Sequence, residues 1–439
     1  MKTIGVGICG LGTVGGGTWN VLRRNAERIA RRAGAPVEVV HIGARRDNPD
    51  RDTGDTPVSR DIFALLDDPR IDILVESIGG TDTALELVRG AIAKGKHVVT
   101  ANKALIAERG NELLGEAEAA GVSIAYEAAV AGGVPVVKAL REGLAANRVL
   151  WLAGIVNGTG NFILSEMREK GREFSDVLAE AQALGYAEAD PSFDVEGIDA
   201  AHKLVILASI AFGMPLRFDK VYTEGIARIS ARDMECAEEL GYRIKHLGIA
   251  RRSGAGIELR VHPTLIPERH LLADVNGVRN AVLIEGDAAG PTLYCGAGAG
   301  AEPTASAVVA DIVDLARDIA RGQRPAVAGL GVAIGDVSDR PVLDIDEAVT
   351  ACYLRMTADD RPGVLSEVAR ICGEAGISIE ALIQKQPAAG ETWVQVIILT
   401  DRVREADLKS AVARIESLPS IQGEITRIRV ESLDTVGPP

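Results

Sequence analysis

The first third of the chain alternates apolar runs of strand length with stretches of helical period. TIGVGIC, VEVVHIG, IDILVES, HVVT and VSIAYE, between Thr3 and about Gly143, are separated by amphipathic segments. This is βαβ alternation, which predicts a parallel, doubly wound sheet with helices on both faces. Ligands of such sheets bind at the carboxyl ends of the strands, so functional residues are expected just after those runs. From about Val149 the pattern changes. An apolar strand, WLAGIV, meets a turn at Asn157-Gly158, helical stretches follow near 160–170, 175–184 and 198–213, and IELRVHP and AVLIEG read as further strands. With a helix over about 304–321 able to pack back on the first domain, this part reads as α+β.

The segment 322–346 holds Pro325, Pro341 and several glycines without a sustained period, and is the expected linker. Beyond it the order is strand (VTACYLRMT), helix (VLSEVARICGEAG), strand (ISIEALIQKQ), strand (TWVQVIILT), helix (EADLKSAVARIES) and strand (ITRIRV). That βαββαβ order predicts a ferredoxin-like unit. The fold class is therefore α/β, with expected domains at 1–148, 149–321 and 347–433.

Composition narrows the partners. At 439 residues the chain exceeds one core, since single cores stop growing near ~250–300 residues. Its 62 acidic against 48 basic residues give a net charge of −14, which repels phosphate backbones and anionic bilayers, so neither nucleic acid nor membrane is an expected partner. The five cysteines (Cys9, Cys236, Cys295, Cys352, Cys372) contain no C-x-x-C pair, which suggests neither a disulfide framework nor a zinc site and points to the cytoplasm.

The first strand runs into Gly10-Leu11-Gly12-Thr13-Val14-Gly15, and a helical stretch follows at once. In this G-x-G-x-x-G pattern the glycines serve a tight turn, close backbone approach to a pyrophosphate and helix-on-strand packing, with the helix N-terminus facing the negative charge. The strand before it and the four after it make this a Rossmann-type dinucleotide site rather than an isolated turn. The second strand ends in His41-Ile42-Gly43-Ala44-Arg45-Arg46, with no carboxylate for the ribose hydroxyls. Arg45 and Arg46 suit a 2′-phosphate, which favours NADP while leaving NAD possible; they also read as solvated loop charges.

The densest polar cluster is Gly185-Tyr186-Ala187-Glu188-Ala189-Asp190-Pro191-Ser192-Phe193-Asp194, followed by Gly197-Ile198-Asp199-Ala200-Ala201-His202-Lys203. Asp199 and Lys203 are four apart on a predicted helix and meet on one face. The helix continues as Leu204-Val205-Ile206-Leu207-Ala208, apolar all round and so expected to be buried. A lysine there, flanked by carboxylates, can present a proton at a dry site; the spacing equally describes a surface ion pair with capping acids. His202 reads as supporting structure. Lys103, just past the fourth strand, is expected near a nicotinamide, or else simply begins a helix. In Tyr126-Glu127-Ala128-Ala129-Val130-Ala131-Gly132-Gly133-Val134-Pro135 an acid ends a buried strand and small residues expose carbonyls, a set that suits a hard cation or a plain glycine-rich turn.

Taken together, GLGTVG, TANKALIA, YEAAVAGGVPVV, GIVNGTGNFIL, ALGYAEADPSFDVEGIDAAHKL and GAGAEPTASAVVADI resemble, in this order, the homoserine dehydrogenase family over residues 3–321. The resemblance implies NAD(P)H-dependent reduction of L-aspartate 4-semialdehyde to L-homoserine, on the way to threonine, methionine and isoleucine. It makes 149–321 a catalytic and dimerisation domain, and Lys203 the proton donor, with Lys103 near cofactor and substrate. Glu188 is implied to bind the substrate amino group, and Asp194 and Asp199 to orient substrate and lysine. Glu127 with the backbone oxygens of Val130, Gly132 and Val134 is implied to hold a structural monovalent cation such as sodium, and Gly300 to touch the cofactor. Residues 349–431, with Asp360-Arg361-Pro362-Gly363-Val364-Leu365, look like an ACT regulatory domain. In that family the turn before the first helix (Asp360, Pro362, Gly363, Val364, Leu365) builds an amino-acid pocket with a partner domain, so threonine is the implied inhibitor and a homodimer or homotetramer the implied assembly. No kinase segment precedes the glycine motif, which implies the monofunctional form.

Two rivals remain open at this level. Aspartate-semialdehyde dehydrogenase would need a cysteine nucleophile; Cys9 falls inside the first strand, Cys295 in the glycine-rich loop and Cys236 on an expected surface helix. A non-catalytic sensor binding NADP and an amino acid would not require Lys203.

Overall fold

The computed structural model describes residues 2–46, 53–384 and 392–433. It contains two compact units, each assembled from separate stretches of chain: Met1–Gly158, Asp199–Val221 and Val278–Arg340 in one, Thr159–Ile198, Tyr222–Gly277 and Pro341–Pro439 in the other.

The first unit is built on a six-stranded parallel sheet with the spatial order Val58–Ser59, Val37–Gly43, Ile4–Cys9, Ile73–Glu76, His97–Thr100, Ile124–Ala125. Strands Ile4–Cys9 and Ile73–Glu76 are buried along their whole length, which is why they read as continuous apolar runs instead of alternating ones. The helix Ala301–Arg321 returns to this sheet. Its Ala305, Val308, Ile312 and Leu315 share a core with Ile4, Val6, Ile8 and Trp19; full burial of a side chain such as Ile312 contributes ~1.5–3 kcal/mol. The same unit holds an antiparallel sheet of Val149–Ile155, Arg279–Gly286 and Gly290–Ala297. Cys295 lies in the last of these strands, exposed, and not in the glycine-rich loop where the sequence pattern put it.

The second unit contains the antiparallel pair Tyr242–Arg252 and Ile257–Pro267. The βαββαβ segment extends this sheet: Ile421–Val430 runs parallel to Ile257–Pro267, with Thr264 beside Arg429 and Leu265 beside Val430. Val349–Asp359, Trp393–Thr400 and Ile379–Gln384 follow in antiparallel order. The second strand of the segment was expected over 377–386; its Lys385 and Gln386 lie outside the described residues. Helices Val364–Glu374 and Glu405–Glu416 cover this part of the sheet and share a core with its strands. Cys236, expected on a surface helix, is buried in the helix Ala231–Glu239 instead.

Candidate active site

The sheet order of the first unit reverses between Ile4–Cys9 and Ile73–Glu76, and the glycine motif sits at that switch point. Gly10 has φ +101°, and a Cβ there would meet the Ser77 carbonyl oxygen at 2.6 Å. Ser77 in turn locks the turn, its hydroxyl donating toward the carbonyls of Cys9 (3.0 Å) and Gly10 (3.1 Å). A Cβ at Gly15 would fall 1.9 Å from the Gly10 oxygen, so only glycine lets the helix Thr13–Arg24 start this close to the strand. Gly12 faces open space, Thr13 is exposed and no side chain caps this helix. Amides and the positive end of the helix dipole are thus presented to an anion. Gly300, with φ +123°, caps the helix Ala301–Arg321, and the Ala301 carbonyl packs against Gly17. Arg45 and Arg46 are exposed just beyond the second strand. This cradle fits a nicotinamide dinucleotide.

The strand His97–Thr100 delivers Lys103 to the start of the helix Lys103–Ala120, whose N-terminus is capped by Asn102 accepting from the Leu105 N–H. Asp199 and Lys203 lie one turn apart on the helix Ile198–Phe212, buried through Leu204, Val205, Ile206, Leu207 and Ala208. Lys203 Nζ donates to Asp199 Oδ2 (2.6 Å) and to the Val156 carbonyl (2.6 Å). Asp199 Oδ1 also faces Lys103 Nζ at 3.2 Å, and its Oδ2 accepts from Asn157 Nδ2 at 2.8 Å. Burial opposes ionisation of Asp199, yet the Lys203 and Lys103 ammonium groups outweigh it and hold the carboxyl down at about 2. One carboxylate therefore orients two ammonium groups. An ammonium has three N–H donors, of which Lys203 spends two in these contacts, so the third can be directed at a substrate oxygen.

The pairing of Asp199 with Lys203 was legible in the sequence, and Lys103 was singled out by its place after the fourth strand but not as a partner of Asp199; Asn157 and the Val156 carbonyl, which complete the array, were passed over as a strand end and turn. A buried asparagine at such a turn was the available signal. Glu188 and Asp194 belong to the second unit, where Glu188 is exposed and Asp194, on the short helix Ser192–Val195, is half-buried. Glu127, expected to end a strand, opens a turn after the strand stops at Ala125. Its carboxylate accepts the N–H groups of Val137 (2.9 Å) and Lys138 (2.7 Å), and its own N–H donates to Asp311 at 2.8 Å. Burial and the Asp311 charge push Glu127 up to about 7, and burial pushes Asp311 up to about 6. Val130, Gly132 and Val134 lie buried in the same loop. This electron-rich pocket suits a cation, and Asp311 was not among the residues singled out from sequence. Asp360, Pro362 and Gly363 form an exposed turn; Gly363 has φ +101° at the head of the helix Val364–Glu374, while Val364 is buried and Leu365 half-buried.

Comparison with known proteins places these features in one family. Residues 10–127 match the NAD-binding domain of homoserine dehydrogenase, 135–313 the homoserine dehydrogenase domain and 353–420 the ACT domain. The chain is 61% identical over 434 residues to the homoserine dehydrogenase of Pseudomonas aeruginosa, covering 99% of this chain and 100% of that one. The crystal structure of a homoserine dehydrogenase from Thiobacillus denitrificans superposes with a TM-score of 0.94 at 57% identity, over 99% of each chain. A hyperthermophilic archaeal homoserine dehydrogenase solved in complex with NADPH matches with a TM-score of 0.61 at 28% identity, over 71% of this chain and 97% of that one. Among the described residues no helix is long and apolar enough to cross a membrane. The chain belongs to the homoserine dehydrogenase family, as an oxidoreductase with an NAD-binding domain, a catalytic domain and a C-terminal ACT domain.

Proposed function

We propose that the protein reduces L-aspartate 4-semialdehyde to L-homoserine, with NADPH preferred over NADH and threonine as inhibitor through the ACT domain. The observation that carries the chemistry is the Lys103–Asp199–Lys203 array. Bound reduced nicotinamide would supply a hydride, two electrons and one proton's worth of hydrogen, to the aldehyde carbon. Negative charge then develops on the carbonyl oxygen. Lys203, held by Asp199 and the Val156 carbonyl, stabilises that charge and transfers a proton to the oxygen, completing the alcohol. Lys103 lies beside the same carboxylate and serves cofactor and substrate positioning. Glu188 binds the substrate ammonium and Asp194 orients the substrate.

Gly10, Gly12, Thr13, Val14 and Gly15 would cradle the pyrophosphate, Arg45 and Arg46 the 2′-phosphate, and Gly300 the far side of the cofactor. Glu127 with the carbonyls of Val130, Gly132 and Val134 would hold a monovalent cation as a structural element, a reading supported by the buried acid pair with Asp311. Asp360, Pro362, Gly363, Val364 and Leu365 would receive the effector in a homodimer or homotetramer of this cytoplasmic enzyme. The test is oxidation of NADPH by purified protein supplied with L-aspartate 4-semialdehyde, NADH run beside it and threonine added afterwards. Turnover slowed by threonine is the expected result; no turnover with either cofactor overturns the reading.

A further inference from the structure

We propose that His202 is a positioning residue for the lysine array: bonded to Glu108 and stacked on Phe218, it fixes the helix bearing Asp199 and Lys203 against the helix that begins at Lys103. The proposal rests on the catalytic reading above and adds a residue to it.

His202 is buried three positions after Asp199, so these two side chains neighbour each other on the helix, and it immediately precedes Lys203. Its Nε2 lies 3.1 Å from Oε1 of Glu108, which is on the helix Lys103–Ala120. A carboxylate is acceptor-only, so this contact assigns the hydrogen to Nε2. Burial holds the ring toward its neutral form, opposed by Glu108 and Asp199, while the Lys103 charge acts with burial. One face of the imidazole is covered by Phe218, with ring centroids 4.1 Å apart and planes 17° from parallel. One helical turn beyond Glu108, Asn111 grips the backbone of Leu216, donating to its oxygen and accepting from its N–H, both at 2.9 Å. Gly110 admits the Leu216 side chain, since a Cβ there would stand 2.5 Å from Leu216 Cδ1. The catalytic helix and the segment after it are thus tied to the Lys103 helix by two polar clamps, and the His202 clamp is the one next to the chemistry.

The two lysine contacts of Asp199 differ in what they need. Its bond to Lys203 is internal to one helix, whereas its contact with Lys103 crosses between helices and depends on their separation. Release of the His202 clamp therefore costs the Lys103 contact first. Asp199 then keeps its burial with one cation fewer, which raises its carboxyl and brings the acid limb of the rate profile to higher pH.

The experiment compares His202→Ala, Glu108→Ala, their double variant, His202→Gln and Lys203→Ala in the full chain, measuring kcat, KM, NADPH affinity, the pH profile and thermal stability. The expected result is a kcat loss of ~10-fold in His202→Ala and in Glu108→Ala, below the ~100-fold that a 1 Å misplacement can cost. The two losses should not multiply in the double variant, NADPH affinity should be unchanged, and the acid limb should move to higher pH. His202→Gln, which keeps an amide donor for Glu108, should recover most of the rate. Wild-type kcat and pH profile in His202→Ala and Glu108→Ala, even with lowered thermal stability, would reduce the ring to packing and overturn the proposal. Should His202→Ala fail to fold, Glu108→Ala decides, because that side chain is partly exposed. Loss of activity in Lys203→Ala beside unaffected His202 and Glu108 variants overturns this proposal alone. Full activity in Lys203→Ala overturns the catalytic reading and this proposal with it.

Discussion

Asp199→Asn keeps the shape of the side chain and removes the charge that Lys203, Lys103 and the Asn157 amide share. The wild-type carboxyl sits at about 2 against an ordinary 3.8; at ~1.4 kcal/mol per pH unit this favours the ionised native form by about 2 kcal/mol. Breaking a buried ion pair by removing one partner costs ~3–5 kcal/mol, reduced here because Lys103 is 34% exposed and screened by solvent. The expected destabilisation at neutral pH is ~2–4 kcal/mol. Because the native carboxyl is depressed below its unfolded value, this contribution is complete above 3.8 and is lost as pH falls through 3.8 toward about 2. Wild type and variant should therefore converge in acid. For turnover, a Lys203 no longer held at its angle should cost ~100-fold in kcat with NADPH affinity retained. Denaturant titrations across pH and steady-state NADPH oxidation read the two effects. A variant with kcat within about threefold of wild type, or a stability gap that does not narrow in acid, would refute the reasoning.

Gly12→Ala should leave thermal stability unchanged, since its Cβ would meet nothing within 4 Å, while weakening NADPH binding by ~10-fold or more by crowding the pyrophosphate; equal affinity in a calorimetric titration would count against the cradle. Gly15→Ala, whose Cβ would lie 1.9 Å from the Gly10 oxygen, should lower thermal stability as well as affinity. Replacing Arg45 and Arg46 together with alanine should raise KM for NADPH by ~10-fold and leave KM for NADH unchanged, so a parallel rise in both would remove the 2′-phosphate assignment. In the second unit Arg355 donates to the fully buried Asp233 through Nε at 2.6 Å and an Nη at 3.0 Å. Asp233→Ala should therefore destabilise that unit by ~3–5 kcal/mol, and a melting transition unchanged by the substitution would contradict this.

Elements buried on both faces, and motifs contiguous in sequence, were the readable part of this protein. The strand Ile4–Cys9, the glycine turn after it and the apolar helix carrying Asp199 and Lys203 each express their role within one short stretch. The strand Tyr242–Arg252 was missed because Lys245 and His246, both buried, interrupt its apolar run. Lys245 is satisfied by the Val275 carbonyl at 2.7 Å and Asn276 Oδ1 at 2.9 Å, partners some thirty residues away that no local pattern reveals. Glu127 was read as a strand end because the Val137 and Lys138 amides that it accepts come from the next turn of chain.

The sequence by itself determined the alternation that makes the parallel sheet, the glycines that only a close backbone approach requires, and the i,i+4 pairing of Asp199 with Lys203, because each depends on neighbours within a few residues. Only the tertiary structure decided that Asn157 and Lys103 share the carboxylate of Asp199, and that His202 reaches Glu108. Those contacts join residues 42 to 96 positions apart, and their distances are set by how helices and strands pack, which no local spacing encodes.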